Sequence, residues 1–153
     1  MYLELRLEPT VGIITAVRRS VNSIFDRVLH DPDASARIAL TTHELLENAL
    51  RHSTGGEALL NIHVDEPASR VCIAISNHAS PAKIEKLQDR AVKMSKGDPD
   101  DCYLAAMQEA AMSEEIGGLG LVRIRAEGGM NVDVRTEGDL VHVIASTTYG
   151  AAA

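Results

Sequence analysis

The sequence predicts an α/β (α+β) two-layer sandwich, in which helices cover one face of a mixed, mostly antiparallel sheet. Strand-like segments come in neighbouring pairs joined by short turns, and such pairs form antiparallel hairpins. Longer segments with helical apolar spacing separate the pairs and supply a second layer. With 153 residues, 45% of them hydrophobic and 3% aromatic, the chain suits one domain with an aliphatic core.

The first half of the chain contains a strand, two helices and a strand pair. Thr10 and Asp31 are typical N-cap residues, and Pro32 suits a first helical turn. The second helix should stop before Gly55 and Gly56. We therefore expect a strand at 2–7, helices at about 10–29 and 31–53, and strands at 58–64 and 71–76.

The second half contains three helical segments and a closing hairpin across Gly138. We expect helices at 82–94 and 101–113, a short helix from Gly120 to about 127, and strands at 130–135 and 140–146. Residues 1–148 should form a single domain, with 82–116 as a helical insertion and 149–153 as a flexible tail.

Charge and cysteine content exclude several function classes. A formal net charge of -7 argues against sequence-independent binding of nucleic acid and against an anionic membrane surface. Cys72 and Cys102 are too few and too far apart for a disulfide framework or a zinc spacing. The first eight residues lack the apolar core of a signal peptide, so we expect a cytoplasmic location.

The second helix carries a polar stripe beside its apolar face. At about 100° per residue, Asn48 lies about 40° and His52 about 80° from Glu44, next to the arc that contains Leu45. A carboxylate and a carboxamide one turn apart can face one cation or phosphate, although Asn is a poor residue for a helix interior. Helix geometry alone leaves two interpretations open, a cleft-lining site and a solvated face with a Glu47–Arg51 ion pair.

Two further patterns are weighed by their chemistry. Gly117, Gly118 and Gly120 precede the short helix, where glycines allow close backbone approach and helix N–H groups can receive an anion. A plain turn into a packed helix explains them equally well. His43 and Glu44 begin a zinc-protease-like helical pattern that lacks its second histidine, so we expect no zinc site there.

The segment 44–52, Glu-Leu-Leu-Glu-Asn-Ala-Leu-Arg-His, resembles the N-box of the GHKL ATPases, the class of the histidine-kinase catalytic domains and the anti-sigma-factor serine kinases. Gly118-Leu119-Gly120-Leu121 looks like their second glycine box. The resemblance spans about residues 11–147 and implies a Bergerat-type ATP-binding fold with ATP and Mg²⁺ as cofactors. It implies that Glu44 is the general base, that Asn48 is the Mg²⁺ ligand, and that the nucleotide contacts also include Arg51, His52, Asn77, Ala79, Gly117, Gly118, Leu119, Gly120 and Leu121.

The first glycine box departs from the family pattern. The family has Asp-x-Gly-x-Gly after a strand, whereas this chain has Asn77, Ala79 and Pro81 at those positions. Asn77 can still accept a hydrogen bond from adenine, Ala79 adds a Cβ, and Pro81 removes an N–H. A simple strand-to-helix turn capped by Ser80 is the alternative interpretation of these residues.

The stretch 82–116 takes the place of the family's ATP lid, and with the run after Gly117 it is similar to the SiaB-like kinases of bacterial partner-switching modules. The resemblance implies a serine/threonine protein kinase that acts on a regulatory protein partner, either an anti-anti-sigma-like substrate or a sigma-like factor, and a possible homodimer. The competing hypothesis is a degenerate, non-catalytic module that sequesters such a partner. A third is an ATPase with water as the acceptor.

Overall fold

Residues 1–112 and 119–150 are described by a computed structural model, and in them five strands and five helices follow the predicted order. Each element lies within two residues of its predicted bounds. The elements are β1 (Tyr2–Leu7), α1 (Val11–Leu29), α2 (Pro32–His52), β2 (Ala58–Asp65), β3 (Arg70–His78), α3 (Pro81–Met94), α4 (Pro99–Met112), α5 (Gly120–Ala126), β4 (Asn131–Glu137) and β5 (Leu140–Thr148).

The strands form one sheet in the order β1-β2-β3-β5-β4, which confirms the two-layer sandwich. Every pairing among the described strands is antiparallel, so the mixed sheet that we expected is wrong in that detail. The reason is the return of the closing hairpin. β5 lies next to β3, with Ile73 opposite Ala145, and it runs in the opposite direction.

One face of the sheet is buried under the helices. Alternate strand residues point into the core, as the period of two requires, and helix side chains meet them there. Each of the largest buried side chains stabilises the fold by roughly 1.5–3 kcal/mol through burial. They include Phe25, Ile14, Ile38, Leu45, Leu46, Leu60, Ile62, Ile73, Ile75 and Ile124.

Caps fix the ends of the two long helices and thereby the position of α2. Thr10 Oγ1 accepts from the N–H of Ile13 at 3.2 Å, and α1 ends at His30 in a left-handed conformation with φ 51°. Asp31 Oδ1 then accepts from the N–H of Ala34 at 3.0 Å. The chain therefore reverses within two residues, and α2 packs along α1 with its other side free for the sheet and for α5.

The C-terminal region closes the sheet. Gly138 adopts φ 62° in the β4–β5 turn, a conformation that glycine reaches without steric cost. The predicted tail is held at its first residue, because Tyr149 donates its N–H to the Ser69 carbonyl at 2.8 Å. None of the helices in the described ranges has the length and hydropathy that a bilayer span requires.

Candidate functional site

The polar stripe of α2 is buried. We define it as Glu44, Asn48 and His52, whose exposed fractions are 4%, 7% and 7%. The solvated-face interpretation is therefore wrong for these residues, because α5 packs against α2. The expected Glu47–Arg51 ion pair is also absent from the described contacts. Glu47 Oε1 instead lies 3.2 Å from His43 Nε2.

Glu44 is held between two residues of α5. Its Oε1 lies 3.2 Å from Nη1 of Arg123, and the buried carboxylate thus has a cationic partner. Its Oε2 faces Gly120, where an added Cβ would come within 3.2 Å. The absence of a side chain at Gly120 therefore gives the carboxylate its space, and Gly120 lies beside the candidate base.

Asn48 lies one turn further along α2. No hydrogen bond of its amide to any described residue is present, although the side chain is buried. Buried amides are normally hydrogen-bonded, so an unpaired one points to a ligand or to water. The amide oxygen is a neutral, hard oxygen ligand of the kind that Mg²⁺ accepts beside phosphate oxygens.

His52 ends the stripe in a strongly basic environment. Neither ring nitrogen has a hydrogen-bond partner within the described part of the chain. Burial, together with nearby cations, lowers the pKa of His52 to about 4, so the ring is neutral at pH 7. The cations form what we call the basic cluster, which consists of Lys83, Arg90, Arg51 and Lys86.

The basic cluster joins the end of α2 to the start of α3. Lys83 Nζ donates to the backbone oxygen of Arg51 at 2.8 Å, which satisfies a carbonyl at the C-terminal end of α2. Lys83 and Arg51 are two of the cations that disfavour a proton on the His52 ring. Their charges would favour an anionic ligand at this end of the stripe.

Only part of the predicted glycine loop can be placed. Gly117 and Gly118 lie outside the described residues. Leu119 precedes α5 with φ −88°, and Leu121 is 3% exposed and belongs to the core. Gly120 is thus the member of the loop that the structure brings to the stripe.

Residues 77–81, which we call the β3–α3 turn, donate hydrogen bonds to backbone carbonyls. Asn77 is 4% exposed, and its Nδ2 donates to the His78 carbonyl at 3.3 Å. Ala79 is 1% exposed, and its N–H donates to the Asp139 carbonyl at 2.9 Å. Ser80 caps α3, and Pro81 is its first residue. The alternative of a strand-to-helix turn describes this backbone.

Two residues at the site were missed by the sequence analysis. Arg123 is paired with Glu44, and its Nε donates to Tyr103 Oη at 3.4 Å. The hydrogen bond to Tyr103 and the contact with Glu44 raise the pKa of Arg123 above its ordinary value, against the effect of burial. One signal was present, because Arg123 follows Gly120 by three residues and so shares its helix face.

A cluster of potential metal ligands includes Glu44 of the stripe, and a cavity lies away from the stripe. One ligand atom from each of His43, Glu44 and Glu47 lies within 4.8 Å of the others. His43 pairs with Glu47 and Glu44 pairs with Arg123 within this arrangement. A separate cavity of about 250 Å³ lies between α1 and α2 and is lined by Thr15, Arg18, Arg19, Asn22, Ala36 and Ala39.

Comparison with known proteins shows similarity at the level of the fold. No protein-family model matches the chain, and no curated protein matches it in sequence. Among solved structures, a chain in the crystal structure of the SiaB–SiaC complex from Pseudomonas aeruginosa is similar, with a TM-score of 0.67 and 13% sequence identity. The similarity covers 95% of this chain and 89% of that chain. At this identity the likeness shows a shared fold.

Proposed function

We propose that this protein is a Mg²⁺- and ATP-dependent serine/threonine kinase of the partner-switching kind. The observation that carries the proposal is the α2 polar stripe. Its three residues are buried, the two ring nitrogens of His52 have no hydrogen-bond partner in the described part of the chain, and Glu44 lies against Gly120. Leaving buried polar groups unpaired costs about 1–3 kcal/mol each, and a bound ligand would offset that cost.

The donor set suits a polyphosphate with a divalent cation. The Asn48 amide oxygen would hold Mg²⁺, while the basic cluster and the backbone around Gly120 would bind phosphate oxygens. His52 can donate one hydrogen bond while it is neutral and two when it is protonated. Asn77 would contact the base through its carbonyl oxygen, since its amide nitrogen is engaged with the His78 carbonyl.

Bound ATP supplies the phosphoryl group that is transferred. Glu44 accepts the proton of the partner's serine or threonine hydroxyl through Oε2, as that hydroxyl oxygen bonds to the γ-phosphorus. The bond from the γ-phosphorus to the oxygen of the leaving ADP breaks in the same step. Arg123 stays on Oε1 and keeps the other carboxylate oxygen directed at Gly120.

A regulatory protein partner is part of the proposal. The similar chain comes from a complex of two proteins, SiaB and SiaC, which supports a protein as the acceptor for this chain. A protein like SiaC, with an exposed serine or threonine, is the first acceptor to test. The possible homodimer remains an implication of the family resemblance.

A second candidate function is a non-catalytic module that binds and sequesters such a partner. The β3–α3 turn favours it, because Asn77 and Ala79 already donate hydrogen bonds to backbone carbonyls. The glycines of the family's first box are also absent from this turn. The chemistry of the stripe opposes it, because a module without nucleotide has no use for the unpaired, buried ring nitrogens of His52. Nucleotide binding separates the two.

Calorimetry with ATP, with and without Mg²⁺, is the first test. We expect binding that strengthens with Mg²⁺ and that Asn48→Ala weakens by about 100-fold, because an oxygen ligand is lost. Asn22→Ala, an exposed asparagine in α1, is the matched control and should bind as the wild type does. No heat at millimolar ATP would leave the sequestering module as the function.

A transfer assay with radiolabelled ATP and a SiaC-like acceptor is the second test. We expect Glu44→Gln to keep ATP affinity and to lower transfer by about 10²–10⁴-fold, because the general base is lost. Transfer at the wild-type rate in this variant would show that another group takes the proton. Phosphate release without label on any acceptor would identify the ATPase alternative.

A further inference from the structure

A single guanidinium connects the helical insertion to the candidate base. Arg123 Nη1 donates to Glu44 Oε1 at 3.2 Å, while Arg123 Nε donates to Tyr103 Oη at 3.4 Å. Tyr103 lies in α4 and is half-buried against the core. The three side chains come from α2, α4 and α5, so Arg123 contacts both the candidate base and α4.

The hydrogen bond between Arg123 and Glu44 also determines which oxygen of Glu44 remains free to accept a proton. Arg123 occupies Oε1, and Oε2 then faces Gly120, within 3.2 Å of the position of an added Cβ. A carboxylate held by a guanidinium on one oxygen has a fixed plane, because the hydrogen bond sets its rotation. Proton transfer requires that orientation, since the acceptor oxygen must point at the reacting hydroxyl.

The geometry points to Arg123 as a positioning residue for Glu44 that acts only while α4 is seated on α5 and Tyr103 accepts its second hydrogen bond. The catalytic part of this inference rests on the proposed function, whereas the structural connection between α4 and Glu44 does not. Helix α4 and Glu44 are then coupled through Arg123. When α4 moves away, Arg123 loses Tyr103, its rotamers multiply, and Glu44 loses its fixed orientation.

The packing of α5 does not explain Arg123. Leu121, Val122 and Ile124 bury this short helix in the core, with exposed fractions of 3%, 7% and 0%. The Arg123 side chain is 39% exposed, whereas its partner Glu44 is 4% exposed. The guanidinium therefore contributes little to the core and is placed for its two polar contacts.

The link is tested first by hydrogen exchange of the α4 amides, which reports local opening without any assumption about catalysis. We expect Arg123→Gln, Tyr103→Phe and Glu44→Gln each to speed exchange in 99–112 by about three- to tenfold. Arg123→Lys should do the same, because an ammonium group cannot reproduce the forked contact to two partners. Arg135→Gln on β4, whose partner is Asp133, is the matched control and should leave α4 unchanged.

The positioning role is tested by transfer of the γ-phosphoryl group from Mg²⁺·ATP to a SiaC-like acceptor. We expect Arg123→Gln to lower kcat by about 10- to 100-fold with an unchanged KM for ATP. Arg123→Lys should restore part of kcat, because it returns the charge to Glu44. A merely structural role predicts lower stability with the same kcat per folded molecule.

A double-mutant comparison gives the outcome that would overturn the inference. Tyr103→Phe should lower kcat in the wild-type background and have no further effect beside Arg123→Gln, because both changes break the same connection. Additive effects, or α4 exchange that is the same in Arg123→Gln as in the wild type, would refute the link. If the wild type binds no ATP, the proposed function fails, whereas the exchange data still decide whether Arg123 connects α4 to Glu44.

Discussion

The α2 polar stripe and the β3–α3 turn are both buried and polar, but they differ in how their hydrogen-bonding groups are satisfied. Asn77 in the turn donates to a neighbouring carbonyl, and Ala79 donates to Asp139. Neither ring nitrogen of His52 in the stripe has such a partner among the described residues. A polar residue that the fold satisfies contributes to structure, whereas one that the fold leaves unpaired indicates a ligand.

The largest expected difference between the two regions concerns nucleotide affinity. Asn48→Ala should weaken Mg²⁺·ATP by about 100-fold, whereas Asn77→Ala should weaken it by about three- to tenfold, the value of one neutral hydrogen bond. Calorimetry at a fixed Mg²⁺ concentration measures both. Equal losses would show that both regions contact the nucleotide to a similar extent.

Acid stability provides the next contrast, between His52 and His78. The folded pKa of His52 is about 4 and its unfolded value is 6.5, so the unfolded chain binds the proton more strongly. The stabilisation is complete above pH 6.5 and is lost as the pH falls towards 4, by about 2–3 kcal/mol.

Urea unfolding between pH 4 and 7 measures this effect. His52→Gln should flatten the dependence, because the titrating group is gone. His78→Gln is the matched control, since His78 is exposed and paired with Asp139 at 3.0 Å. A slope that persists in His52→Gln would assign the effect to other groups.

A smaller effect is expected from Gly120→Ala. The backbone of Gly120 has no positive φ, so alanine is tolerated by the chain, but its Cβ would lie 3.2 Å from Glu44 Oε2. We expect phosphoryl transfer to the acceptor to fall by about tenfold while the unfolding free energy changes by less than about 1 kcal/mol. An unaltered transfer rate would mean that Oε2 is not the reacting oxygen.

The smallest effect is expected from Ala79→Gly, which introduces the first glycine of the family's box into the β3–α3 turn. Glycine adds backbone freedom to the unfolded chain and removes a buried methyl group, so stability should fall by about 1 kcal/mol. ATP affinity should change by less than about threefold, because the N–H of this residue remains bonded to Asp139. A large gain in affinity would reveal that the methyl group obstructs the base.

The local parts of this structure could be predicted from the sequence. Thr10, Asp31 and Ser80 cap the helices that their residue types indicate, and the arithmetic of the helix puts Glu44, Asn48 and His52 on one side. Burial of that side could not be derived, because it depends on helices more than 25 residues away in sequence. The same limit explains the solvated-face interpretation.

The long-range contacts of the site were beyond the sequence. Arg123 and Glu44 are separated by 79 positions, and Arg123 and Tyr103 by 20. No sequence periodicity relates such pairs. A buried carboxylate requires a cationic partner, but this requirement does not say which arginine or lysine it is. The position of Gly120 beside Glu44 was expected from the family resemblance alone. The antiparallel pairing of β5 with β3 is a second long-range contact, and with it every pairing of the described strands is antiparallel.

An imidazole kept neutral by burial and by neighbouring cations has a consequence for the energetics of ligand binding. A polyanion bound beside those cations would offset the part of the pKa shift that they cause, and the pKa of His52 would rise. Association would then consume hydrogen ions from solution. The measured heat would vary with the ionisation enthalpy of the buffer, and the affinity would rise on mild acidification until the fold itself begins to yield.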